Sequence, residues 1–488
     1  MTGAAFFDLD RTLLPKASGP ALSAAMRETG VVSARLPGES LLFGYFNLLG
    51  ESLGSIALAR QAVLVARGRP ADAFDDAAQL AADVLEPMVG PFAHMLIQEH
   101  QEAGRPVVLA TTTPEHLIRP FAERLGIDHV IATRYEVDDT GHFTGRNDGH
   151  FVWSMGKVAA VREWAEEAGI DLAQSYAYSD SIYDAPLLRA VGNPGAVNPD
   201  PRLQALATVA RWPVLHFDTS PGVFKLPVIG VELQRAITLL TRPEMFPYAK
   251  FRIEGADKVP VVGPAILVGN HRSYFDLVAM AVAMGRTTRT ARFLGKKELF
   301  DVPGLGTIFR AGGGISVDRR QEDPDSPDAF AAAVRSIAGG EMVAMMPEGT
   351  IPRGIHFFEP GMTGFTGAAR LAHLTKVPVI PFAISGTEKV WPRSSLVPRM
   401  TNVLNRPEVR VTFGDPVELK YRSVERDMER VFDAITAMLP PEVREPARPT
   451  MAELALTYPD GRVPDEDRWF AVDGGVEGQD YLDGSVGE

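Results

Sequence analysis

The sequence predicts an α/β protein with two folded units, and three observations support that prediction. First, 488 residues exceed what one ordinary hydrophobic core organises, so two domains are expected. Second, short apolar segments alternate with helical patterns in the first 218 residues, which is typical of a parallel sheet covered by helices. Third, a similar alternation starts again near Ala265, after an irregular stretch.

Three apolar stretches in the N-terminal segment are predicted to be strands of a Rossmann-like parallel sheet. They are Ala4–Leu9, Arg105–Ala110 with the run PVVLA, and the weaker Gln174–Tyr178. Helical patterns fill the gaps between them, for example at Pro114–Leu125 and Lys157–Ala168. The order strand–helix–strand favours parallel pairing, because a crossover helix returns the chain to the same end of the sheet.

Domain boundaries follow from where these patterns change. Residues 1–218 are expected to form the first unit, with a helical cap at about 20–98, where Ala and Leu recur at helical spacing without a good strand. Residues 219–260 are an irregular junction, and 261–445 form the second α/β unit, with buried strands at VAMMP and VPVIPFAI. The acidic tail, 446–488, is expected to be disordered or loosely attached.

The junction mixes aromatic side chains with cations. Phe246, Tyr248 and Phe251 are interspersed with Lys250 and Arg252, a combination that could lie on a membrane surface. A linker packed between domains is the favoured interpretation. No stretch of about 18 uncharged apolar residues occurs, so we predict no transmembrane helix and expect any membrane contact to be peripheral.

Composition and charge exclude several classes of function. The formal net charge of -13 disfavours general nucleic-acid binding. The chain has no cysteine, which excludes disulfides, thiolate metal sites and cysteine nucleophiles. The N-terminal segment MTGAAFFDLDRTLL lacks the basic start and apolar run of a secretory signal. We therefore expect a cytoplasmic protein that is peripherally associated with the inner face of the membrane.

Two carboxylates directly follow the first predicted strand, in the segment DLDRT. Asp8 and Asp10 are two residues apart at the carboxyl end of that strand. Carboxylate oxygens are hard ligands suited to Mg²⁺. One carboxylate can attack phosphorus while the other handles the proton of the leaving group. Short acidic loops are common, so this segment alone is weak support for a phosphate site.

Later polar residues strengthen the prediction because most of them also follow predicted strands. Thr111 ends the strand VVLA and can bond a phosphate oxygen, and Lys157 opens a helix after Gly156. Asp180 and Asp184 lie in SDSIYD, directly after another strand. Ligands of open parallel sheets bind beyond the carboxyl ends of the strands. These residues are therefore expected to form one site.

In these motifs, residues 3–215 resemble the haloacid dehalogenase-like phosphatases, in the subgroup with a helical cap that includes phosphoserine phosphatase. The resemblance implies a Mg²⁺ cofactor with Asp8, Asp10 and Asp180 as its ligands. It also implies these roles: Asp8 as the nucleophile that forms an aspartyl-phosphate, Asp10 as general acid/base, Thr12 supporting the loop, Thr111 holding phosphate, Lys157 neutralising charge and Asp184 holding the metal-binding loop.

Two positions depart from that family's pattern. Ser179 stands where glycine usually precedes the metal-binding aspartate, and Thr111 stands where serine is commoner. A domain that keeps the fold with little activity is the alternative interpretation. The presence of every charged position favours an active phosphatase.

A histidine and an aspartate follow the predicted strand AILVG, in the segment NHRSYFD. Their spacing of five residues does not stack His271 and Asp276 on a helix face, but a turn could bring the carboxylate onto the imidazole. Such an aspartate fixes the tautomer and raises the base strength of histidine. A substrate hydroxyl can then lose its proton to His271 and attack a thioester. A lone pair of this kind is more often an ordinary capped turn.

Three later motifs favour the catalytic interpretation. GGGISVDR combines a flexible loop, a strand and Arg319, whose planar guanidinium suits phosphate. PEGT ends the strand VAMM, and VPVIP is a buried strand with two prolines. Arg292, Lys296 and Lys297 in RFLGKKELF form a local basic cluster, for which a solvated helix face is the alternative.

Residues 245–440 resemble the glycerolipid acyltransferases, in particular the 1-acylglycerol-3-phosphate acyltransferases, because NHRSYFD, GGISVDR, PEGT and VPVIP match four family motifs in order. The resemblance implies that His271 is the general base and that Asp276 orients it. It also implies that the acceptor phosphate is held by Arg319, Glu348, Gly349, Thr350, Lys296 and Lys297.

Four residues near these motifs need separate comment. Glu348 would repel a phosphate, so we expect it to position Arg319 or to bond an acceptor hydroxyl. Ile351 stands where the family usually has arginine, and Arg353, two residues later, is a candidate substitute. Glu359 occupies a place that is often basic.

The two resemblances together predict a bifunctional enzyme. Its C-terminal half would move an acyl group from acyl-CoA or acyl carrier protein to lysophosphatidate, giving phosphatidate, and its N-terminal half would hydrolyse a phosphomonoester with Mg²⁺. The alternative is an acyltransferase whose N-terminal unit is a non-catalytic regulatory or docking module. A pure binding or scaffold protein is disfavoured, because two sets of charged motifs at strand ends would then be accidental.

Overall fold

The computed structural model shows a chain divided into two compact units. The N-terminal unit contains the described residues up to 220, and the C-terminal unit contains residues 223–226 and the described residues from 231 onward. Each unit is built on its own sheet with helices, so the predicted α/β class is confirmed. The structure describes residues 2–32, 53–220, 223–226, 231–287, 289–303, 305–317, 327–359, 361–445 and 448–473.

The sheet of the N-terminal unit is parallel and has six strands, and a two-stranded antiparallel hairpin lies apart from it. The strands are β1 Ala5–Phe7, β2 Val107–Pro114, β3 His129–Thr133, β4 Tyr135–Val137, β5 Phe143–Asn147, β6 Tyr176–Ser179, β7 Asn193–Val197 and β8 Val214–Leu215. The strand order is β3-β2-β1-β6-β7-β8, with β4 and β5 in the hairpin. The three predicted strands are confirmed as β1, β2 and β6, which lie side by side at the centre.

Eight helices are described in the N-terminal unit, and two of them match the helices predicted from the sequence. They are α1 Gly19–Glu28, α2 Leu53–Ala66, α3 Asp75–Leu85, α4 Pro91–Glu102, α5 Glu115–Arg124, α6 Met155–Glu167, α7 Ala185–Ala190 and α8 Pro201–Ala210. The matching helices are α5 and α6. Part of the predicted cap, residues 33–52, lies outside the described residues.

The cap differs from the prediction of a purely helical segment at about 20–98. Helix α4 contributes Ala93 and Ile97 to the core beneath the sheet, so it covers the sheet and is not part of the cap. The β4–β5 hairpin, in contrast, packs with the cap: Phe143 meets Phe74 edge-on, with ring centroids 5.4 Å apart. The hairpin escaped sequence analysis because its strands are short and the sequence FTGRN has no apolar alternation.

A seven-stranded mixed sheet forms the centre of the C-terminal unit. Its strands are β9 Lys250–Glu254, β10 Ala265–Gly269, β11 Ala291–Lys296, β12 Ile315–Val317, β13 Met342–Met345, β14 Val379–Ser385 and β15 Glu408–Phe413. The order is β12-β11-β13-β10-β14-β15-β9, and the β14–β15 pair is antiparallel while the other pairs are parallel. The predicted strands in AILVG, VAMM and VPVIPFAI are confirmed as β10, β13 and β14.

Helices cover both faces of this sheet and separate most of its strands in sequence. They are α9 Leu233–Leu240, α10 Asp276–Met284, α11 Lys297–Asp301, α12 Leu305–Ala311, α13 Pro327–Ala338, α14 Gly367–Thr375, α15 Thr387–Val390, α16 Val424–Met438 and α17 Pro441–Arg444. One face packs Ala279, Met280 and Ala283 of α10 against β10 and β14. The other face packs α14 and α16.

The segment that the sequence assigned to a junction, residues 219–260, is partly built into the C-terminal sheet. Its residues 250–254 form β9, which pairs in parallel with β15 at the sheet edge. Phe246, Tyr248 and Phe251 pack around the buried Phe275, with ring centroids 5.9 to 6.3 Å apart, so these aromatic side chains contact the core of the C-terminal unit. The strand was hidden in the sequence because it is short and charged at alternate positions.

The first part of the acidic tail is folded, contrary to expectation. Helices α18 Met451–Leu456 and α19 Asp465–Arg468 enclose a small apolar cluster, and a capping box at Thr450 begins the first of them. The cluster contains Leu454, Tyr458, Val463 and Ala471, with Phe358 packed against it. The apolar residues of this cluster are few and widely spaced in an acidic sequence. The sequence therefore did not predict that this part of the tail folds.

No single helix among the described residues has the length and apolar character needed to cross a membrane. One pair of consecutive helical segments, Asp72–Met88 and Pro91–Glu102, meets those criteria jointly but is bent by 100°.

Candidate active sites

Asp8 directly follows β1, at the carboxyl edge of the N-terminal sheet. Lys157 Nζ, in the first turn of α6, lies 2.8 Å from Asp8 Oδ1 and 2.6 Å from Asp184 Oδ2, so one buried ammonium bridges two carboxylates. Thr12 Oγ1 donates to Asp8 at 3.2 Å and accepts from the Asp180 backbone N–H at 3.1 Å. These contacts join the loop after β1 to the loop after β6.

Asp180 and Asp184 lie in one loop but have different partners. Asp180 Oδ2 is 3.0 Å from Nε of Arg11, whose backbone has a φ of 60°. Asp184 Oδ2 also accepts from Ser179 Oγ at 2.8 Å. Ser179, the departure from the glycine usual in the resembled family, therefore supports Asp184 through its hydroxyl.

Thr111 lies buried in β2, which pairs directly with β1. Its hydroxyl accepts from the backbone N–H of Thr113 at 3.2 Å. Asp10 accepts from the backbone N–H of Ser18, and Ser18 Oγ lies 3.5 Å from Thr113 Oγ1. Sequence analysis missed Ser18 and Thr113, because single hydroxyl residues outside a motif give no signal.

The loop after β7 also reaches this edge, and sequence analysis missed it. Buried Asp200 begins α8 and accepts from the backbone N–H of Ile182 at 3.0 Å. Its own backbone N–H donates to the Asp180 carbonyl at 2.8 Å. Asn198 donates to the Arg11 carbonyl at 3.3 Å. The position of NPD directly after a strand was the signal that could have found them.

Asp8, Asp10 and Asp180 supply the oxygen donors that Mg²⁺ prefers. Burial raises the pKa of Asp8 to about 6 against the opposing charge of Lys157, and burial also raises the pKa of Asp10. In the described part of the chain, no three acidic or histidine side chains are already gathered as a metal cage. The donors fit a divalent cation in chemistry and burial, although in this conformation each carboxylate is held by another protein group.

His271 and Asp276 meet across the turn that follows β10. His271 Nδ1 lies 2.7 Å from Asp276 Oδ2, and Asp276 is fully buried at the start of α10. The same oxygen accepts from the backbone N–H groups of Arg272 at 2.6 Å and Ser273 at 2.9 Å. This fixed carboxylate holds the imidazole with Nδ1 occupied, which leaves Nε2 available as a base.

Two residues outside the motif hold this turn in place, and sequence analysis did not single them out. Thr387 Oγ1 donates to Asp276 Oδ1 at 2.5 Å, so both carboxylate oxygens are bonded. The Asn270 side chain donates to the Ile384 carbonyl at 2.8 Å and accepts from the Ile384 N–H at 2.7 Å. Asn270 thereby joins the end of β10 to β14, from which the chain runs on to Thr387.

Glu348 makes a contact with the histidine loop that the sequence did not predict. Its Oε2 accepts from the backbone N–H of His271, which joins the PEGT loop to the histidine loop. Burial raises the pKa of Glu348 to about 7, and the hydrogen bond from His271 opposes that shift. Arg319, the predicted partner of Glu348, lies outside the described residues.

The other predicted phosphate-binding residues lie at the same edge of the sheet. Gly349 and Thr350 follow β13, and Lys296 and Lys297 stand at the end of β11. The order β11-β13-β10 places these loops beside the His271 loop. The structure therefore gathers the predicted residues by topology, whereas their contact with a phosphate stays a prediction.

The comparisons with known proteins agree with this division. Residues 5–189 match the family model of the haloacid dehalogenase-like hydrolases, and residues 250–385 match the acyltransferase family model. The histidinol-phosphatase of Neisseria meningitidis serogroup C is 33% identical over 225 residues, which are 44% of this chain and 100% of that protein. The chain belongs to the haloacid dehalogenase-like hydrolases. Its C-terminal unit is an acyltransferase domain.

Two further relatives match one domain each. The inhibition of morphological differentiation protein of Streptomyces azureus is 37% identical over 217 residues, covering 44% of this chain and 78% of that protein. The chloroplastic 1-acyl-sn-glycerol-3-phosphate acyltransferase of Arabidopsis thaliana is 29% identical over 177 residues, covering 36% of this chain and 45% of that protein. The resemblance to a fusion of hydrolase and acyltransferase is thus confirmed.

Arg292 does not belong to the basic cluster that the sequence suggested in the acyltransferase domain. Its guanidinium is buried and paired with Glu232 at 2.9 Å and with Glu341 at 2.6 Å. It lies near the start of β11, five residues before Lys297. Arg292 therefore supports the core through buried ion pairs, and a phosphate site would have to use Lys296 and Lys297 without it.

Two other arginines of the acyltransferase domain lie beside the PEGT loop. Arg393 donates to the carbonyl of buried Ile351, and exposed Arg353 follows two residues later. Burial, and after it the positive charge of Arg353, lowers the pKa of Arg393. Neither arginine has a carboxylate within ion-pair distance in the described part of the chain. Sequence analysis found Arg353 but missed Arg393, which no motif marks.

The folded part of the tail holds the loops that carry these two arginines. The Gly354 N–H donates to Thr457 Oγ1 at 2.9 Å, and the Ser394 N–H donates to the Leu456 carbonyl at 3.3 Å. Because Leu456 and Thr457 are consecutive, the two arginine loops lie side by side. A pair of cations without acidic partners can bind an anion such as phosphate.

Proposed function

We propose that the protein acylates lysophosphatidate to phosphatidate and hydrolyses a phosphomonoester at a second site. The observation that carries the proposal is the His271–Asp276 pair, whose carboxylate is buried under two backbone N–H groups and one hydroxyl. The name of the Arabidopsis relative supports the choice of acceptor, and the donor is the thioester of coenzyme A or of acyl carrier protein.

Acyl transfer uses Nε2 of His271, the ring nitrogen that does not contact Asp276. Nε2 of His271 takes the proton of the acceptor hydroxyl while the hydroxyl oxygen attacks the thioester carbonyl carbon. The C–S bond then breaks, and the leaving thiolate receives the proton from the imidazolium. Asp276 stabilises the imidazolium and keeps its orientation through the cycle.

The phosphate of the acceptor requires cations, and the structure offers them around the PEGT loop. Arg353 and Arg393 lie on one side of the loop, where Arg353 takes the place of the arginine that Ile351 replaces. Lys296 and Lys297 lie at the end of β11, which is separated from β10 only by β13. Arg319 is predicted to join them. Glu348 contributes by holding the His271 backbone and not by touching phosphate.

At the hydrolase site, Asp8 attacks phosphorus and the ester oxygen leaves. The raised pKa of Asp10 suits it to carry a proton for that oxygen, and Asp10 then activates the water that cleaves the aspartyl-phosphate. Lys157 balances the charge of Asp8, and Thr111 bonds a phosphate oxygen. Asp8, Asp10 and Asp180 would hold Mg²⁺, which neutralises charge on the phosphate.

We further propose that the protein works at the cytoplasmic face of the membrane as a peripheral enzyme. A lysolipid acceptor and its diacyl product both reside in a bilayer, so an acyltransferase without direct access to that surface would wait for slow monomer exchange. The formal net charge of -13 is the basis on which we propose no nucleic-acid partner.

The test is a product analysis of the purified full chain. The protein receives acyl-CoA or acyl carrier protein thioester, lysophosphatidate and Mg²⁺, and mass spectrometry identifies phosphatidate, dephosphorylated glycerides and free phosphate. The His271→Ala variant should lose acyl transfer by about 10²–10⁴-fold and keep phosphate release. The Asp8→Asn variant should show the opposite pattern, so each variant is the control for the other.

Four outcomes would change the proposal. Acyl transfer that persists in His271→Ala removes the histidine mechanism. Unchanged phosphate release in Asp8→Asn removes Asp8 as the nucleophile. Absence of phosphate release in the wild type with any phosphomonoester makes the hydrolase unit a regulatory or docking module. Hydrolysis of soluble phosphomonoesters such as histidinol phosphate, without lipid phosphate, would separate the two reactions.

A further inference from the structure

One loop of the acyltransferase domain exposes an unusual density of large apolar side chains. It spans residues 395–406, between α15 and β15, and is called here the apolar loop. Scattered exposed apolar residues are normal on protein surfaces, but a contiguous group marks a binding surface. Its large apolar side chains are each at least 48% exposed, and they are Leu396, Val397, Met400, Val403 and Leu404.

The charged residues of the apolar loop and of the chain on either side of it are all cations. Between Glu388 and Glu408 the chain carries four cations and no carboxylate, in a protein with a net charge of -13. Three of them, Lys389, Arg399 and Arg406, are exposed and make no ion pair with any described residue. Apolar side chains flanked by cations are typical of segments that insert into the headgroup region of an anionic bilayer.

The apolar loop is anchored next to the proposed acyl-transfer site. Trp391, at its root, accepts through its backbone carbonyl a hydrogen bond from Ser273 Oγ at 2.5 Å, two residues after His271. Its ring also packs edge-on against Tyr274, with centroids 5.7 Å apart. Ser273 and Tyr274 therefore connect the apolar loop to the turn that carries His271. A surface that binds the loop would lie close to the reacting hydroxyl.

Hydrogen bonds give the apolar loop a defined shape. The indole N–H of Trp391 donates to the Ser395 carbonyl at 2.9 Å. The Arg399 N–H donates to the Val390 carbonyl at 2.8 Å. Leu396 and Val397 are thus held outward between two fixed points, so inserting them would cost little additional ordering of the backbone.

We propose that the apolar loop docks the acyltransferase domain on an anionic lipid bilayer, with its leucines inserted and Arg399 and Arg406 at the headgroups. The inference rests on the proposed acyl transfer to a membrane-resident acceptor and names the surface through which that acceptor is reached. The aromatic residues of the junction do not compete for this role, because they are packed around Phe275. A protein partner is the alternative occupant, and the test separates it.

Vesicle binding of the full chain tests the docking directly. Sedimentation is measured with vesicles of phosphatidylcholine alone and of phosphatidylcholine mixed with phosphatidylglycerol, at low and high salt. Leu396→Ser/Leu404→Ser should reduce binding by roughly 10–100-fold, since each loses one inserted apolar side chain. Arg399→Gln/Arg406→Gln should reduce binding only to the anionic vesicles and flatten its salt dependence.

A matched control uses leucines of similar chemistry elsewhere on the same domain. Leu240 and Leu374 are 69% and 57% exposed and lie outside the apolar loop, so Leu240→Ser/Leu374→Ser should bind vesicles as the wild type does. Equal losses in the control and loop variants would overturn the proposal. Wild-type protein that binds neither vesicle would also overturn it and would leave a protein partner as the occupant.

Activity measurements separate this proposal from the proposed function. With a short-chain lysophosphatidate that is monomeric in water, the leucine variant should keep the acyl-transfer rate of the wild type. With acceptor embedded in anionic vesicles, the same variant should lose roughly 10-fold or more. Loss on both acceptors would mean that the loop shapes the active site, which overturns docking. Absence of acyl transfer in the wild type refutes the proposed function, while the sedimentation result still decides the loop.

Discussion

The two candidate sites have opposite imbalances of charge. In the hydrolase unit, four carboxylates lie at the same sheet edge as only two cations, Lys157 and Arg11. The carboxylates are Asp8, Asp10, Asp180 and Asp184. In the acyltransferase domain there is a local positive surplus beside the PEGT loop, where Arg353 and Arg393 have no acidic partners among the described residues.

The difference shows what each site is suited to bind. Burial of surplus carboxylates raises the pKa of Asp8 to about 6, and a divalent cation would relieve that cost. Burial next to a like charge lowers the pKa of Arg393, and a phosphate would relieve it. The same elementary electrostatics thus favours a metal at one site and an anionic acceptor at the other.

The largest expected effect comes from Asp276→Asn, which keeps the shape of the acyltransferase site and removes its negative charge. The amide can no longer enforce the Nδ1–H tautomer or stabilise the imidazolium, so we expect acyl transfer to fall by about 10²–10⁴-fold. Phosphate release by the hydrolase unit should be unchanged. Steady-state kinetics of both reactions on one preparation measures the split.

A second histidine–aspartate pair in the same domain provides the control. His373 Nε2 lies 2.8 Å from the buried Asp427, which links α14 to α16 away from the proposed chemistry. Although burial of Asp427 opposes ionisation, hydrogen bonds from Lys420 and His373 lower its pKa to about 2. Asp427→Asn should therefore destabilise the domain without a selective loss of turnover by the folded enzyme. Equal turnover losses in both variants would argue against a catalytic role for Asp276.

The order of the motifs along the chain predicted which sheet edge carries the candidate site in each domain. It did not predict which distant side chains hold those motifs in place. Asp8, Lys157 and Asp184 were found because each lies after a strand of the parallel sheet or in the first turn of a helix that covers it. Thr387 and Arg393 were missed because they reach their sites through single long-range contacts, from positions 111 and 42 residues away from their partners. Spacing in sequence carries no information about such contacts.

The fold shows the same limit. Strands β1, β10 and β14 were predicted because they are short apolar runs in the cores of parallel or mixed sheets. The edge strand β9 and the hairpin strand β5 were missed because partly exposed strands contain charged and small residues. The tail helices were missed because their apolar cluster forms only together with Phe358, which lies far away in sequence.

An intermediate effect is expected from the buried carboxyl of the acyltransferase site, and it depends on pH. Folding raises the pKa of Glu348 from 4.5 to about 7, so between these values the folded state binds more protons than the unfolded state. The contribution of Glu348 to stability is therefore fully present below pH 4.5 and is lost as pH rises towards 7. The loss is on the order of 3 kcal/mol.

Glu348→Gln should remove this pH dependence, because the amide stays neutral and its oxygen can still accept from the His271 N–H. The measurement is hydrogen–deuterium exchange of the β10 and β13 strands from pH 5 to 8, corrected for intrinsic exchange rates. The β1 and β6 strands of the hydrolase unit serve as the internal control and should respond alike in both proteins. A variant whose β10 and β13 protection still falls with pH as in the wild type would contradict the assignment.

The smallest expected effect tests whether the arginines beside the PEGT loop bind the phosphate of the acceptor. Arg393→Gln removes one of the two cations beside the PEGT loop, and we expect the KM for lysophosphatidate to rise about 10-fold, equivalent to about 1.4 kcal/mol, with little change in kcat. The exposed Arg399→Gln is the control with a soluble short-chain acceptor and should leave KM unchanged. A rise in the KM of the acyl donor instead would place the donor's phosphate at Arg393. If Arg393→Gln alters neither KM, the positive surplus is structural, and the contrast between the two sites would then rest on the hydrolase carboxylates alone.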